Sequence, residues 1–585
     1  MRKDNRKVKI VCTLGPATSS LEMISMVSDA GMNVARLNFS HGTYESHKAT
    51  VEKIRLVEIS ADKPIAVLLD TKGPEIRTGV LAGGKKITLK NTAEFTLRFD
   101  GSVGDSGGVS VDYPSLYKEV SVGQSIFIDD GTIHLCVKET SVSGIICSVV
   151  TGGELGEHKG INVPGADLSV PTLTDKDISD IRWGIDNDVD YIAVSFVRTK
   201  DDIMEVRKIL EKYSGNAKVI AKIETKQSVD NIDEIIAVVD GLMVARGDLG
   251  VEIPTEDVPM VQKSIIEKCR LQGKPVIVAT QMLDSMIRNP RPTRAEASDV
   301  ANAVIDGADA VMLSGETAGG LYPVEAVTVM DKIIQRTEKD IDLWQKHNNI
   351  LTDSNIVADS VSHAAKDIAA SMKVAAIISL TSSGGTARMV SKYRPECRII
   401  AATPQKKTWR QLALVWGVLP VLSNLSTDLE SSVQTALELI QREELVNVGD
   451  NVVVTSGVPL GDPGSTNTVH VHTVGQVLAR GQSLVRRVVT GKVCKAATPE
   501  EAVSKASAGN ILVLKNSSRD YVHAIEKVAA VVTEESGLTS FAGVTTLNMG
   551  LASVFGAAGI FDAVDDDMVI TVDGVRGLIY KGRVG

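Results

Sequence analysis

Cysteine is scarce in this chain. Six residues, Cys12, Cys136, Cys147, Cys269, Cys397 and Cys494, are dispersed over 585 positions and make no Cys-x-x-Cys pair. They read as reduced, mostly buried side chains of a cytoplasmic protein. Long apolar runs are missing as well, so no membrane span and no membrane partner is expected. The opening residues, MRKDNRKVKIVCTLGP, are basic, but their apolar run is short and meets Gly15 and Pro16, which does not describe a secretory signal. Nor is there an excess of positive charge. Lys plus Arg number 63 against 73 for Asp plus Glu, a net charge of −10. The basic residues are scattered rather than striped, which argues against a nucleic-acid partner.

What is present is length and alternation. A chain of 585 residues is too long for one core and should divide into several domains. From the N-terminus, short Val- and Ile-rich runs alternate with amphipathic helical patterns, the signature of a parallel sheet with crossover helices. The predicted strands are Lys9–Thr13, Val34–Ser40, Ile65–Thr71, Tyr191–Val197, Lys218–Glu224, Leu242–Gly247, Pro275–Gln281 and Ala310–Gly315. Eight parallel strands suggest a closed barrel with its site at the carboxyl ends. The polar residues fall at those ends: Arg36, Asn38 and Ser40, then Asp70 and Thr71, Ser195, Thr280 and Gln281, and Glu316.

The densest chemistry lies between Lys218 and Gly250, KVIAKIETKQSVDNIDEIIAVVDGLMVARGDLG. Side chains alternate faces along a strand, so Lys222 and Glu224 point the same way. Asp248 follows the next apolar run and sits at the end of the neighbouring parallel strand. Two carboxylates and a cation at one mouth suit a divalent metal held by carboxylates, with a lysine to balance a phosphate. On this stretch alone, a surface ion pair is the other reading.

Between the third and fourth strands the helical period disappears. Residues 72–171 show Gly-rich turns and short alternating runs such as Lys86–Leu89, Ser125–Ile128 and Ile145–Val150, which predicts an inserted all-β domain hanging over the mouth as a lid. Its junctions, KGPEIR at 72–77 and KGINVPG at 159–165, are rich in Gly and Pro. A helical pattern from Pro323 to about His347 follows the last barrel strand. A fresh α/β alternation comes next, with apolar runs at Val374–Leu380, Ile399–Thr403, Leu412–Val415, Asn451–Ser456 and Thr468–Thr473 and a helix beginning near Thr386. The last unit, from about Val474, is Gly- and β-rich with a few short helices.

Nine stretches together resemble the pyruvate kinase family of bacteria: KIVCTLGPAT at 9–18, MNVARLNFSHG at 32–42, LDTKGPEIRTG at 69–79, KGINVPG at 159–165, AKIET at 221–225, MVARGDLGVEIP at 243–254, ATQMLDSM at 279–286, PTRAEASDVANAV at 292–304 and MLSGETAGGLYP at 312–323. The match runs in unbroken order over roughly residues 1–473. The resemblance implies an α/β protein with a (β/α)8 TIM barrel formed by 1–71 and 172–347 and a β-barrel lid domain at 72–171. An α/β regulatory domain at 348–473 follows, and a homotetramer is implied. It also implies transfer of the phosphoryl group of phosphoenolpyruvate to ADP, giving pyruvate and ATP in glycolysis.

Residue by residue, the resemblance assigns Mg²⁺ or Mn²⁺ to Glu224 and Asp248, and the moving phosphoryl to Lys222. It gives the substrate phosphate to Arg36 and the substrate carboxylate to the backbone at Gly247 and Asp248. Thr280 lies on the side from which the enolate is protonated. Asn38, Ser40, Asp70 and Thr71 are hard oxygen donors where the family places K⁺. Glu75 stands where a glutamate goes with K⁺ dependence. Asn38, His41, Arg77 and Lys159 match nucleotide contacts. LTSSGGTARMVSKYRP at 380–395 is a strand, a hydroxyl-rich loop and a helix start, a form that binds phosphate. There the resemblance implies a phosphorylated allosteric effector on Thr381, Ser382, Ser383 and Thr386. The loop SGVPLGDPGSTN at 456–467 lacks the Trp and Arg that some members use for a sugar bisphosphate, which leaves the effector's identity open.

The final unit, 474–585, resembles the mobile, swivelling α/β phosphohistidine domain of phosphoenolpyruvate-utilising enzymes, through VVTEESGLTSFAGVTTLNMGLASVFG at 531–556 and DDDMVITVDGVRGLIYKG at 565–582. The family's histidine falls at Phe541, which cannot carry a phosphoryl group. A domain kept for structure or regulation is the expectation. Two competing readings are a metal-dependent aldolase or lyase, which needs no lid, and a non-catalytic effector-binding protein, which need not keep the metal and phosphate residues.

Overall fold

The computed structural model describes residues 6–166, 168–340, 356–426, 428–459, 464–537 and 539–583. The chain divides into two compact units, one made of 1–363, 381–422 and 461–467, the other of 364–380, 423–460 and 468–585. The predicted boundary at 347/348 and the predicted end of the preceding helix at His347 lie outside the described residues; the helix is seen over Pro323–Asp340.

In the first unit all eight predicted strands form and close a barrel in sequence order. They are Lys9–Thr13, Val34–Asn38, Ala66–Asp70, Tyr191–Val194, Lys218–Ile223, Gly241–Ala245, Val276–Ala279 and Ala310–Leu313, and neighbours pair in parallel. Seven end one to three residues before the sequence pattern does. The polar residues that extend the pattern leave the ladder and turn into the mouth.

Side chains of the strands alternate between two apolar shells. Val11, Val34, Leu68, Ile220, Met243 and Ile277 pack on the barrel axis, whereas Ile10, Cys12, Leu37, Val67, Ile223 and Val278 pack beneath the helices. Both shells exclude water, which is why these strands read as continuous apolar runs. The amino end of the axis is filled from far along the chain: Ala413 and Leu414 join the inner shell, and the Tyr191 hydroxyl donates to the Gln411 carbonyl. Leu412–Val415, read from the sequence as a short apolar run, holds a 3-10 turn over Leu412–Leu414, and the strand that follows is Val418–Leu422. A four-residue apolar run buried as a plug has no period by which to tell it from a strand.

The insertion forms a seven-stranded sheet with a small two-stranded one. Its strands alternate sharply, with Ile126 and Ile128, Ile133, Leu135 and Val137, and Ile145, Cys147 and Val149 all buried in a core of their own. The two junctions meet: Ile76–Arg77 pairs antiparallel with Gly160–Asn162. The Asn162 amide lies 3.5 Å from a Glu252 carboxylate oxygen on the barrel helix Arg246–Glu252. Later in this unit, Arg398–Thr403 pairs in parallel with Val418–Leu422.

In the second unit Ala376–Leu380 pairs in parallel with Asn451–Gly457. The C-terminal part is a seven-stranded sheet, antiparallel where Val477–Arg480, Leu578–Lys581 and Val569–Asp573 meet, and parallel from Val488–Ala496 through Ile511–Leu514 and Ala530–Thr533 to Ala552–Phe555. Short helices connect the parallel strands, as crossover connections require. Among the described residues, no helix is long and apolar enough to cross a membrane.

Candidate active site

The fifth strand carries Lys222 to the mouth, and the chain beyond it brings Glu224 back to the same side. Lys222 Nζ lies 2.8 Å from Glu224 Oε1 and 3.2 Å from Asp70 Oδ1, and it donates to Ser195 Oγ at 2.7 Å. Three strand ends thus converge on one ammonium. Burial alone would lower the Lys222 pKa, but Asp70 and Glu224 outweigh it and hold the group above the ordinary lysine range. The lysine stays charged, unlike one in an apolar pocket.

Asp70 is the second hub. Arg36 Nε lies 2.6 Å from its Oδ2, and the Arg36 fork also reaches Thr13 Oγ1 at 2.9 Å. Burial would raise the Asp70 carboxyl, yet Arg36 first and Lys222 second hold it below the carboxylate norm. Its Oδ1 lies 3.2 Å from the Lys222 ammonium and has no other polar partner among the described residues. A fully buried carboxylate oxygen whose one neighbour is a cation suits a cation ligand. Asn38 sits opposite Asp70 in the ladder, and the Asn38 side-chain oxygen accepts from the Ser40 N–H at 3.0 Å. Thr71 Oγ1 accepts from the Ser195 N–H at 3.2 Å. The four residues expected to hold K⁺ are thus gathered on adjacent chain segments, and their oxygen donors fit that ion.

Asp248 lies in the first turn of Arg246–Glu252. Burial, and then the charge of Glu224, push its carboxyl up to about 7, against the pull of Lys222. Two carboxylates that resist being charged together fit a divalent cation between them. Glu224 also accepts the Phe196 N–H on Oε2 at 2.6 Å, which fixes its orientation. Among the described residues no group of three or more His, Cys, Asp or Glu is placed to hold a metal ion. One or two carboxylates completed by substrate oxygens are what a Mg²⁺ site at a phosphate needs.

Gly247 and Thr280 face each other. The Gly247 N–H, expected to be open to a substrate carboxylate, donates to Thr280 Oγ1 at 2.9 Å. That leaves the Asp248 N–H at the open first turn of the helix. A Cβ at Gly247 would meet nothing of the protein closer than Thr280 at 3.7 Å, so the glycine keeps clear a space that the fold itself does not fill. Thr280 and Gln281 both hold left-handed backbone, with φ of 68° and 54°. For a β-branched residue this costs on the order of 1–3 kcal/mol. Arg246 secures the strained segment: its guanidinium donates to the carbonyls of Ala279 at 3.2 Å and Thr280 at 2.7 Å, and pairs with Asp299 at 2.7 Å.

On the lid side, the antiparallel junction brings Arg77 and Lys159 together. Each has an acidic partner. Arg77 Nε donates to Glu75 Oε2 at 2.6 Å and Nη1 to the His158 carbonyl at 2.8 Å, while Lys159 Nζ lies 2.9 Å from Asp129. The Glu75 charge is therefore partly neutralised by Arg77, though it is still felt at Asp248. His41 is exposed, and its carbonyl contacts the His47 ring at 2.9 Å. Glu316, noted at the eighth strand end, holds backbone instead: its carboxylate accepts the Leu283 and Ser314 N–H groups.

Sequence reasoning missed the supporting roles of Ser195, Thr13 and Arg246. Ser195 was visible as a polar residue at a strand end. Arg246 was not, because its role depends on which way the carbonyls of 279 and 280 point.

Three comparisons bear on this site. Residues 5–327 match the family described as pyruvate kinase, barrel domain, and residues 359–472 match pyruvate kinase, alpha/beta domain. Residues 506–577 match the mobile domain of PEP-utilising enzymes. Pyruvate kinases of Geobacillus stearothermophilus and Sporosarcina psychrophila are 47% and 46% identical, over 99% of this chain and 99% of each relative. The crystal structure of a pyruvate kinase from Cryptosporidium parvum superposes with a TM-score of 0.77 at 39% identity, covering 81% of this chain and 98% of that one. With its barrel mouth built from Lys222, Glu224, Asp248, Asp70 and Arg36, the chain belongs to the pyruvate kinase family.

Proposed function

We propose that the barrel mouth moves the phosphoryl group of phosphoenolpyruvate to ADP, forming ATP and pyruvate in glycolysis. The observation that carries this is the single ammonium of Lys222, held charged at the meeting point of Asp70, Glu224 and Ser195. Lys222 faces the phosphoryl as its charge spreads, and a preorganised cation there favours the transition state over the ground state. Arg36, fixed by Asp70 and Thr13, presents its remaining N–H groups to the same phosphate. The substrate carboxylate lies over Gly247 at the helix start, with the Asp248 N–H as donor. Thr280 relays a proton through water to the enolate carbon, since a hydroxyl is too weak an acid to give one outright.

Glu224 and Asp248 hold Mg²⁺ or Mn²⁺, and Asn38, Ser40, Asp70 and Thr71 hold K⁺. When bound, these ions would supply positive charge to offset the charge that develops on the transferring phosphoryl group. Asn38, His41, Arg77 and Lys159 receive the nucleotide, the last two exchanging Glu75 and Asp129 for phosphate oxygens. In this reading the domains are 1–71 with 172–347, 72–171, 348–473 and 474–585, in a cytoplasmic homotetramer.

Regulation by a phosphorylated metabolite at Thr381, Ser382, Ser383 and Thr386 belongs to this reading. The Ser382 and Ser383 hydroxyls make no hydrogen bond among the described residues and are available. Thr386 instead bonds Thr466 at 2.8 Å, and Thr381 accepts the Gly384 N–H at 2.9 Å, so these two shape the loop.

A coupled assay of pyruvate formation tests the whole. Activity should require phosphoenolpyruvate, ADP, a divalent cation and K⁺ or NH₄⁺ together. Full turnover in a buffer holding only bulky organic monovalent cations defeats the K⁺ assignment; no turnover under any of these conditions defeats the reaction.

A further inference from the structure

The loop Ser195–Arg198, which follows the strand Tyr191–Val194, meets the reacting groups at one end and the inserted β domain at the other. Ser195 Oγ accepts from Lys222 Nζ at 2.7 Å and donates to the Thr71 carbonyl at 2.7 Å. The Phe196 N–H is held by Glu224 Oε2 at 2.6 Å, and Phe196 itself sits in left-handed backbone with φ of 54°. A bulky residue stays in that region only where its surroundings over-determine it. Val197 supplies an anchor, fully buried in the shell beneath the barrel helices.

Both connectors of the inserted domain rest on this loop. On the way in, Gly73 lies so close that a Cβ there would be 2.7 Å from Ser195 Cβ and 2.9 Å from the Phe196 ring. On the way out, the Arg198 fork donates to the carbonyls of Leu168 at 2.6 Å and Val170 at 2.7 Å, and to Thr172 Oγ1 at 2.8 Å. Leu168 and Val170 pack their side chains against the apolar core of the inserted domain, so Arg198 grips the body of that domain. Asp202 steadies the grip, its carboxylate accepting the Arg198 backbone N–H at 2.8 Å and the Thr172 hydroxyl. The connectors are tied to each other through the buried Asp177, whose two oxygens accept the Gly73 N–H at 3.0 Å and the Thr174 hydroxyl at 2.6 Å.

A brace for stability alone could stand anywhere on the barrel rim. Here it is built from the residues that fix Lys222 and Glu224, so a shift of either connector reaches the reacting groups within a residue or two. We propose that Arg198 is a positioning residue of the reaction: it sets the inserted domain over the mouth, and through Phe196 and Ser195 it ties that placement to Lys222 and Glu224. The inference rests on the phosphoryl-transfer reading given above. In that reading the inserted domain brings Arg77 and Lys159 to the nucleotide, whereas the groups assigned to phosphoenolpyruvate all stand on the barrel. Loss of the grip therefore weakens ADP more than phosphoenolpyruvate. It also lowers turnover by roughly 10- to 100-fold, the cost of about 1 Å of misplacement.

The test is steady-state kinetics of the full chain, comparing wild type, Arg198→Met, Ser195→Ala and the Ser195→Ala/Arg198→Met double variant. Arg198→Met is expected to lose roughly tenfold or more in kcat and to raise KM for ADP at least about threefold, with KM for phosphoenolpyruvate within about twofold. The double variant should turn over within about threefold of the slower single variant, because groups that act through one loop are not additive. Should Arg198→Met not fold, Thr172→Val, which removes one acceptor of the fork, is expected to show the same split between the two KM values with a kcat loss of about threefold. Equal rises in both KM values, a kcat within about twofold of wild type in the folded variant, or losses that multiply in the double variant overturn the proposal. Absence of wild-type turnover removes the phosphoryl-transfer reading and this inference together; wild-type turnover with an unmoved Arg198→Met removes this inference alone.

Discussion

Two helix starts in this chain each follow a strand of a parallel ladder and have opposite chemistry. In the barrel, the strand Gly241–Ala245 runs directly into Arg246–Glu252, and the first turn of that helix holds Asp248 beside Glu224 and Lys222. In the C-terminal region, Ala530–Thr533 leads through a short loop to the helix Phe541–Met549. There Ser540 caps the helix by accepting the Gly543 N–H at 3.1 Å, and the nearby carboxylate of Glu535 is bonded to Ser517 at 2.7 Å. The first helical residue is Phe541, which offers no atom to take a phosphoryl group. The C-terminal helix start is closed by its own Ser540 cap, whereas Arg246–Glu252 has no side-chain cap from the residue before it and keeps its first turn open. Chemistry at a helix start therefore depends on unlike charges brought there from other strands, which the barrel supplies and the C-terminal sheet does not.

The sharpest way to break this comparison is to remove the charge at the barrel mouth. Lys222→Met is expected to lower kcat by roughly 10³ or more, the usual weight of a cation on a transferring phosphoryl group. Binding of Mn²⁺, followed by its paramagnetic signal, should persist. A turnover within tenfold of wild type would show that Lys222 is structural.

The next effect concerns support rather than charge. Arg246→Met leaves every reacting group in place but frees the carbonyls of 279 and 280, so the left-handed segment at Thr280 can relax. Misplacement of about 1 Å costs on the order of 10²-fold, and a fall in kcat of roughly 10- to 100-fold with little change in KM is expected. A change confined to KM would contradict the positioning role.

A smaller effect separates stability from turnover. Burial raises the Glu252 carboxyl to about 7. The folded chain thus holds a proton that the unfolded chain releases from about pH 4.5 upward, and stability falls as pH rises through that window to about 7. Glu252→Gln should remove this slope. Its thermal midpoint should match wild type at pH 5 and exceed it at pH 8 by about 1–3 °C.

The smallest expected effect is on the other side of the comparison. Deleting 475–585 should leave the turnover number within twofold, and Phe541→His should yield no phosphorylated chain on incubation with labelled phosphoenolpyruvate. Loss of a hundredfold in turnover from a truncated chain that folds and binds substrate would show the C-terminal region taking part in the reaction.

The barrel was legible because its strands are apolar on both faces, and the mouth because Lys222 and Glu224 share a strand parity. Strand ends were less so: Ser40, Thr71, Glu224 and Thr280 continue an extended pattern in sequence while departing from the ladder in space. The pairing of Glu75 with Arg77 was readable, as the two lie two apart on an extended segment, yet the resemblance ties Glu75 only to K⁺ dependence. The plug at Leu412–Leu414 and the clamp of Arg246 were beyond reach, since each depends on where a remote segment lands.

That plug has a consequence for synthesis. The residues that seal the barrel floor emerge about a hundred positions after the eighth strand, Ala310–Leu313. At roughly 5–20 residues per second, the ribosome delivers them some 5–20 seconds later. Throughout that interval the nascent barrel has all its strands and an open apolar floor around Tyr191 and Ala310, the first residues of their strands. Chaperone binding during translation should therefore peak not with the barrel itself but in the stretch of synthesis between its last strand and Trp416.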